Sequence, residues 1–441
     1  MRKHRARNSE RGQALILIML SMVALLGFTA LAVDGAMVYS DRRLVQNVAD
    51  ASSLAGGAAA AKYMEDSGLI YNSFFCGNEV YPAMQAAKVA AVNRAASNDF
   101  TMHLSGENRV ETTCGVVNRG FWVDKYIDVH TYITHDSPTS LVHFVYNGPV
   151  RNSVEAITRI RPRMPLALGQ AIVGLNNAAC YGNQNGVQIG GSSQTLVHGG
   201  GIFSNGCMGG DGSGFSVTVD PGQVLYVGAL EGTTTSISPP PARYQRPLPE
   251  ASYQVEVPDC SSLPARNMSS QMVAPGIYSL APGVYNRIIM QNTDQVHLDA
   301  GLYCITGSPA GVTATGGVFD GHDVTFYLTQ GSFSISGGTQ VNLSAPASVP
   351  DPSPALPGVL IYLAHGNSSV VSLEGNTTSY YLGSIYAPDG SISITGDSGT
   401  YPTFNTQLVG KNVFISGNAT IEINFSDSQV YNVPAMLELS K

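Results

Sequence analysis

Residues 371–417 read VSLEGNTTSYYLGSIYAPDGSISITGDSGTYPTFNTQLVGKNVFISG. An apolar-x-apolar-x-Gly element occurs three times within them, as Val371/Leu373/Gly375, Ile392/Ile394/Gly396 and Val413/Ile415/Gly417, each copy starting 21 residues after the last. Alternation of period two marks strands with one buried face. A fixed spacing of roughly 20 residues suits one coil of a β-solenoid, whose short strands stack coil upon coil and bury alternate side chains. The element recurs upstream at Val187/Ile189/Gly191 and Phe333/Ile335/Gly337. A second element, Gly-apolar-aromatic, appears at Gly201-Ile202-Phe203, Gly276-Ile277-Tyr278, Gly283-Val284-Tyr285, Gly301-Leu302-Tyr303 and Gly317-Val318-Phe319. Asn376, Asp397 and Asn418 follow the last three repeat glycines and fit corners where a positive φ is needed. A β-sandwich is the competing architecture, since its strands also recur every roughly 8–12 residues. The repeated 21-residue register favours the solenoid.

Working outward, the Gly- and Ser-rich β pattern begins near residue 166 and is interrupted twice by proline. Residues 239–264 hold seven prolines and read as an extended link over the surface, and 346–357 read as an insertion between coils. The expected divisions are a Gly-rich β region at 166–238, the Pro-rich linker at 239–264, a β-solenoid at 265–434 and a tail at 435–441. Before residue 166 the periodicity is different. An Ala-rich helix over 34–65 carries Leu44, Val48, Ala51, Ala55 and Ala58 on one face, with no strong breaker before Gly56-Gly57. Met84, Ala87, Ala91, Val92 and Ala95 mark a second short helix, and alternating runs at 110–116, 121–133 and 150–160 mark antiparallel strands. The fold class is therefore α+β followed by all-β: an N-terminal transmembrane helix, a small pilin-like α+β unit over 34–165, and a parallel β-helix-like solenoid.

The chain has 441 residues and a net charge of −8, yet charged residues make up only 12%, so its surface must be built largely of Ser, Thr, Asn, Gln and Gly. No Lys occurs between Lys125 and Lys411. Such a surface cannot neutralise a run of phosphates, which excludes nucleic acid as a partner. The basic groups gather instead in the tail at 1–12, where Arg2, Lys3, Arg5, Arg7 and Arg11 face only Glu10. Gln13 to Val33 then gives 21 uncharged residues, a helix of about 31 Å against a bilayer core of roughly 30 Å. The basic flank places the N-terminus in the cytoplasm and the bulk of the chain outside a cytoplasmic (inner) membrane. Cleavage as a signal peptide after Ala30-Leu31-Ala32 is the alternative, but the run exceeds the usual length and the helical pattern continues beyond it.

All six cysteines, Cys76, Cys114, Cys180, Cys207, Cys260 and Cys304, lie beyond the span, where disulfides persist. Many pairings are open from sequence; pairing of sequence neighbours (76–114, 180–207, 260–304) is the expectation. The absence of any C-x-x-C pair gives zinc and dithiol redox chemistry no support.

Arg11-Gly12-Gln13-Ala14, the apolar span, Ala32-Val33-Asp34-Gly35, Tyr39, Arg42-Arg43-Leu44, Gln46, Ala49-Asp50-Ala51 and Leu54-Ala55-Gly56 together resemble the N-terminal domain of TadG-like Flp-pilus (tight adherence) assembly proteins. The resemblance covers about 50 residues, with Val45 set between Leu44 and Gln46 as a small departure. It implies a bacterial single-span envelope protein whose partners are the membrane and Tad/Flp pilus components. Type IV prepilins are cut after a Gly and carry Glu five residues on. Leu17 stands at that distance from Gly12, which argues against processing like a major pilin.

No residue takes a catalytic role on sequence grounds, and no cofactor or metal is expected. Asp389-x-Ser391-x-Ser393 matches a D-x-S-x-S metal motif, but Ile392, Ile394 and Gly396 make the serines alternate positions of a repeat strand. His130, His135 and His143 lack zinc spacing. Asp294, Asp299, Asp320 and Asp323 could line a sugar-cleaving groove, which keeps a polysaccharide-active β-helix enzyme as the alternative. The leading expectation is structural or adhesive work, with surface carbohydrate as a candidate ligand.

Overall fold

The computed structural model describes residues 10–440 apart from 140–145, 147, 149, 179, 181–185, 213, 233, 349–353, 376–378 and 397–402. The basic groups at 2–7, His143, Asn376 and Asp397 lie outside the described residues. Two compact units are distinguished, Met1–Arg163 with Ala435–Lys441, and Met164–Pro434.

In the first unit, helix α1 runs unbroken from Glu10 to Asp66. Its apolar side chains from Leu15 to Leu31 are exposed on every side, as suits a helix meant for lipid. Ala14–Asp66 contains the one helix among the described residues that is long and apolar enough to cross a membrane. Farther along, Val45, Val48, Ala49, Ser52, Ser53, Ala60 and Met64 form the buried stripe. This corrects the expected face: Leu44 is 54% exposed, and of the five residues named there only Val48 is buried. Small residues make the true contact. A Cβ on Gly56 would lie 2.8 Å from the Ala87 carbonyl oxygen and 2.9 Å from Val129 Cγ1, and one on Gly57 would lie 2.7 Å from Thr158 Cγ2. Gly56-Gly57 therefore brings neighbouring backbone close rather than stopping the helix.

Helix α2 (Tyr81–Ala96) completes that contact with Ala83, Ala87, Ala91 and Ala95, one buried per turn. The Ser52 hydroxyl donates to the Ala91 carbonyl at 2.6 Å. Strands β1 (Arg109–Asn118), β2 (Val123–Ser137) and β3 (Val150–Arg161) form an antiparallel sheet that buries Ile127, Val129, Ile133, Ala156 and Ile160. Residues 435–441, expected as a tail, instead supply a fourth strand. Met436–Leu439 pairs antiparallel with β3, with Leu437 opposite Ile160. On the outer face Arg159 forks the Asp128 carboxylate through two 2.8 Å bonds, while Arg161 bonds Asp124 and the incoming Glu438, each at 2.9 Å. Cys76 and Cys114 are bridged with Cα atoms 5.7 Å apart, joining the segment before α2 to β1.

The second unit is a β-solenoid of about ten turns, with three strands in a regular coil and parallel pairing between coils. The apolar-x-apolar-x-Gly elements form one continuous ladder on one sheet. Phe333, Val371, Ile392, Val413 and Val187 stack in register, and Ile335, Leu373, Ile394, Ile415 and Ile189 stack beside them. All ten are at most 1% exposed. The second element is two elements. Its copies at 201, 283 and 301 lie on one sheet, where Tyr303 pairs with Phe326, and those at 276 and 317 lie on another, where Tyr278 and Phe319 both flank Val296. At the corners the positive φ falls on the repeat glycine itself, as at Gly191, Gly337 and Gly417, and not on Asn418.

Chain order and stacking order differ. The first coil comprises Gln170–Gly174, Val187–Gly190 and Gln194–His198, and the next two stack on one side of it. After Ala242–Arg243 the chain crosses to the far end and re-enters at Ala265–Arg266. Coils then build back until Thr403–Gly417 and Thr420–Asn424 pair with the other side of the first coil, Leu408 with Ile172, Val413 with Val187 and Thr420 with Gln194. Residues 166–238 and 265–434 thus form one stack. Entry and exit lie side by side, because Met164–Pro165 pairs antiparallel with Asn432–Val433. The insertion near 346–357 falls between coils, after Gln340–Ser344 ends one and before Val359–Leu363 begins the next, and the Gly358 N–H closes it on the Pro346 carbonyl at 2.7 Å.

Candidate functional site

The solenoid has three faces, and the outward side chains of each decide what it can do. On the first face Cys304, Tyr327, Tyr362, Tyr386, Val409, Val173 and Phe203 stand in register. An apolar row of this kind needs cover, and the Pro-rich crossover supplies it. Leu248, Ser252 and Val255 of the crossover are buried. The Leu248 N–H donates to Asn205 Oδ1 at 2.8 Å, and the Tyr362 hydroxyl donates to the Val255 carbonyl at 3.3 Å. Cys260 and Cys304, Cα atoms 6.2 Å apart, pin the far end of the strap, and Cys180 and Cys207 are bridged with Cα atoms 5.7 Å apart. All six cysteines therefore pair as sequence neighbours. The phenols of Tyr362 and Tyr386 are pushed well above their ordinary range by burial, with neighbouring tyrosines adding to the effect.

The second face carries a polar ladder, in which Ser279, His297, Asp320, Asn342, Tyr380, Thr403 and Glu422 stand in register. Asp320 is its hub. Asn342 Nδ2 donates to Asp320 Oδ1 at 2.8 Å, His297 Nδ1 lies 3.6 Å from Oδ2, and His322 Nε2 lies 3.9 Å from Oδ1. His322 Nδ1 is also 3.1 Å from the Ser344 hydroxyl. Of the four aspartates named from sequence, only Asp320 joins this group. Asp294 closes a turn by accepting the Gln291 N–H at 2.8 Å, and Asp323 sits at a corner with φ +56°. Asp294 and Asp299 flank the strand Gln295–Leu298, one at each end. His297, His322 and Asn342 escaped the sequence reading; the signal was the coil-length spacing of His297 and Asn342 on either side of Asp320, with His322 two residues beyond it.

The third face is built of hydroxyls. Thr313, Ser334, Ser372 and Ser393 form one outward row, which continues through Phe414 to Gln188. Thr395 and Ser416 lie in a parallel row with Glu374, whose carboxylate is engaged by the Gly337 N–H at 2.8 Å. Ser391 and Ser393 of the D-x-S-x-S stretch belong to this face, as alternate residues of the strand ending at Gly396. Asp389 accepts the Gly366 N–H at 2.8 Å and approaches His365 Nδ1 at 3.4 Å.

Among the described residues, no group of three His, Cys, Asp or Glu side chains is placed to hold a metal ion. His130 Nδ1 lies 3.3 Å from Glu155, while His135 packs edge-on to Phe100 with ring centres 5.8 Å apart. In the first unit, α1 and α2 leave an open groove of about 740 Å³ lined by Ala51, Leu54, Ala55, Ala90, Asn93 and Arg94.

No curated protein and no solved structure matches the chain. A family model described as "Putative Flp pilus-assembly TadE/G-like" matches residues 12–61, the apolar span together with the small-residue stripe that packs on α2. Residues 12–61 are thus similar to the TadE/G-like Flp pilus-assembly domain.

Proposed function

We propose that this protein is a single-span component of the Tad/Flp pilus-assembly apparatus, anchored in the cytoplasmic membrane with its N-terminus inside, which presents a β-solenoid outside the cell for attachment. The observation that carries this reading is the continuity of α1. One helix holds the pilus-assembly domain and the apolar span, and it also forms the packed stripe of the α+β unit into which the solenoid is inserted. The groove beside Leu54 and Ala55 is the natural seat for a helix of another pilus component. The test exploits the adjacent entry and exit strands. Residues 164–434 are replaced by a short Gly-Ser linker joining Arg163 to Ala435. Pili still form and surface attachment is lost if the solenoid is the adhesive part. Unchanged attachment contradicts the adhesive role, and unchanged pilus number in a strain lacking the whole chain contradicts the assembly role.

A second reading, a polysaccharide-active enzyme, is favoured only by Asp320 standing between His297 and His322. Turnover of a glycan that disappears in Asp320→Asn would support it.

A further inference from the structure

We infer that the hydroxyl face of the solenoid, from Thr313 to Phe414, binds a neutral glycan chain. This inference rests on the adhesive reading above and assigns it a surface and a ligand class.

The three faces differ in availability. The aromatic face is covered by the chain's own strap, and the polar ladder holds a carboxylate at Asp320 and another at Glu422. The row Thr313, Ser334, Ser372, Ser393 and Phe414 itself holds no charged residue; on the same strands Glu374 is tied to the Gly337 N–H and Asp389 to the Gly366 N–H, and Lys411 stands outside the row. An anionic polymer finds no cation in that row to neutralise it, and a cationic one finds no free carboxylate. What the row offers is Ser and Thr hydroxyls, each able to donate and to accept. Ser334, Ser372 and Ser393 have no intramolecular side-chain partner among the described residues, so their hydrogen-bonding capacity faces outward.

Spacing adds the second argument. Strand pairing sets these hydroxyls about 4.8 Å apart along the solenoid axis. A ligand that uses them must itself present hydroxyls repeatedly along a line, as an uncharged polysaccharide does. Apolar groups stand among them as well: Val370 is 39% exposed and Ile289 40%, and Phe414 follows Ser393 in the row. Sugars have both hydroxyl edges and apolar C–H faces, and aromatic or aliphatic side chains meet the latter. The row ends at Ile289 in a shallow concavity of about 470 Å³ lined also by Gln291, Asn292, Thr293, Thr313 and Thr315, which would seat a terminal sugar.

The test uses the full-length protein in detergent micelles with three neutral probes, laminarin, dextran and cellohexaose, and the anionic polymer polygalacturonate. Binding of at least one neutral probe, with polygalacturonate unbound, is the expected result. Ser334→Ala/Ser372→Ala/Ser393→Ala should weaken that binding about tenfold or more through the loss of three hydrogen-bonding groups, while Glu422→Gln on the other face leaves it unchanged. The triple variant alters outward positions only, and an unchanged circular dichroism spectrum establishes that it is folded. Full affinity in the triple variant, no binding to any neutral probe, or preference for polygalacturonate overturns the inference. If solenoid-dependent cell attachment persists under any of those outcomes, the adhesive reading stands and only this assignment falls.

Discussion

Tyr381 is fully buried in the solenoid, stacked on Phe404 with ring centres 5.1 Å apart, and its hydroxyl has no hydrogen-bond partner among the described residues. An unmet buried hydroxyl costs about 1–3 kcal/mol, so Tyr381→Phe should raise the thermal midpoint; a clear fall on calorimetry would contradict the assignment. Gly57 makes the opposite case. Its Cβ position is 2.7 Å from Thr158 Cγ2, so Gly57→Val overpacks the contact between α1 and β3 and should cost about 1–3 kcal/mol in denaturant unfolding. Gly56-Gly57 was legible in sequence only as a breaker. Its function as a contact surface was hidden because a glycine adds nothing to an apolar periodicity. The same blindness shifted the predicted stripe to Leu44 and Ala58, when the packed residues are Ser52, Ser53 and the glycines themselves.

At the scale of elements, the strap over the aromatic face makes two predictions. Cys260 and Cys304 are 44 residues apart, and in the chain-entropy account a loop of that size contributes about 4 kcal/mol. Cys260→Ser/Cys304→Ser should lower the unfolding midpoint accordingly and open residues 244–259 to limited proteolysis; an unchanged digestion pattern would show that the strap holds without the bridge. The second concerns alkaline pH. Burial drives the phenols of Tyr303, Tyr362, Tyr381 and Tyr386 well above the ordinary tyrosine range. Their folded-state pKa values are raised, so the stability linked to them is intact below the unfolded value of about 10 and is lost as pH climbs above it. Denaturant titrations across that range should show the midpoint falling, together with late phenolate absorbance. The ladder of Val371, Ile392 and Val413 was legible because no insertion disturbs those coils. The Gly-apolar-aromatic repeat was misread as one element because both sheets start strands with the same residue types. Asp320 was singled out, but its ladder neighbour His297 was not, since 23 residues separate the two where the legible repeat runs at 21.

For the whole molecule, the insertion of the solenoid between β3 and the closing strand sets the chain's logic. Neither repeat spacing nor composition reports that the first and last coils adjoin, because that contact joins residues such as Ile172 and Leu408 far apart in sequence. The span and its domain were legible, since both are written in consecutive residues. The central claim is that one helix carries the solenoid across the membrane, and cysteine accessibility tests it most directly. The six native cysteines are paired, so single additions at His4→Cys and Thr395→Cys report on their own surroundings. In spheroplasts treated with a membrane-impermeant maleimide, the account predicts labelling of Thr395→Cys at once and of His4→Cys only after permeabilisation, both in the membrane fraction. The reverse pattern, or a Thr395→Cys protein released into the medium without its first 32 residues, would contradict it.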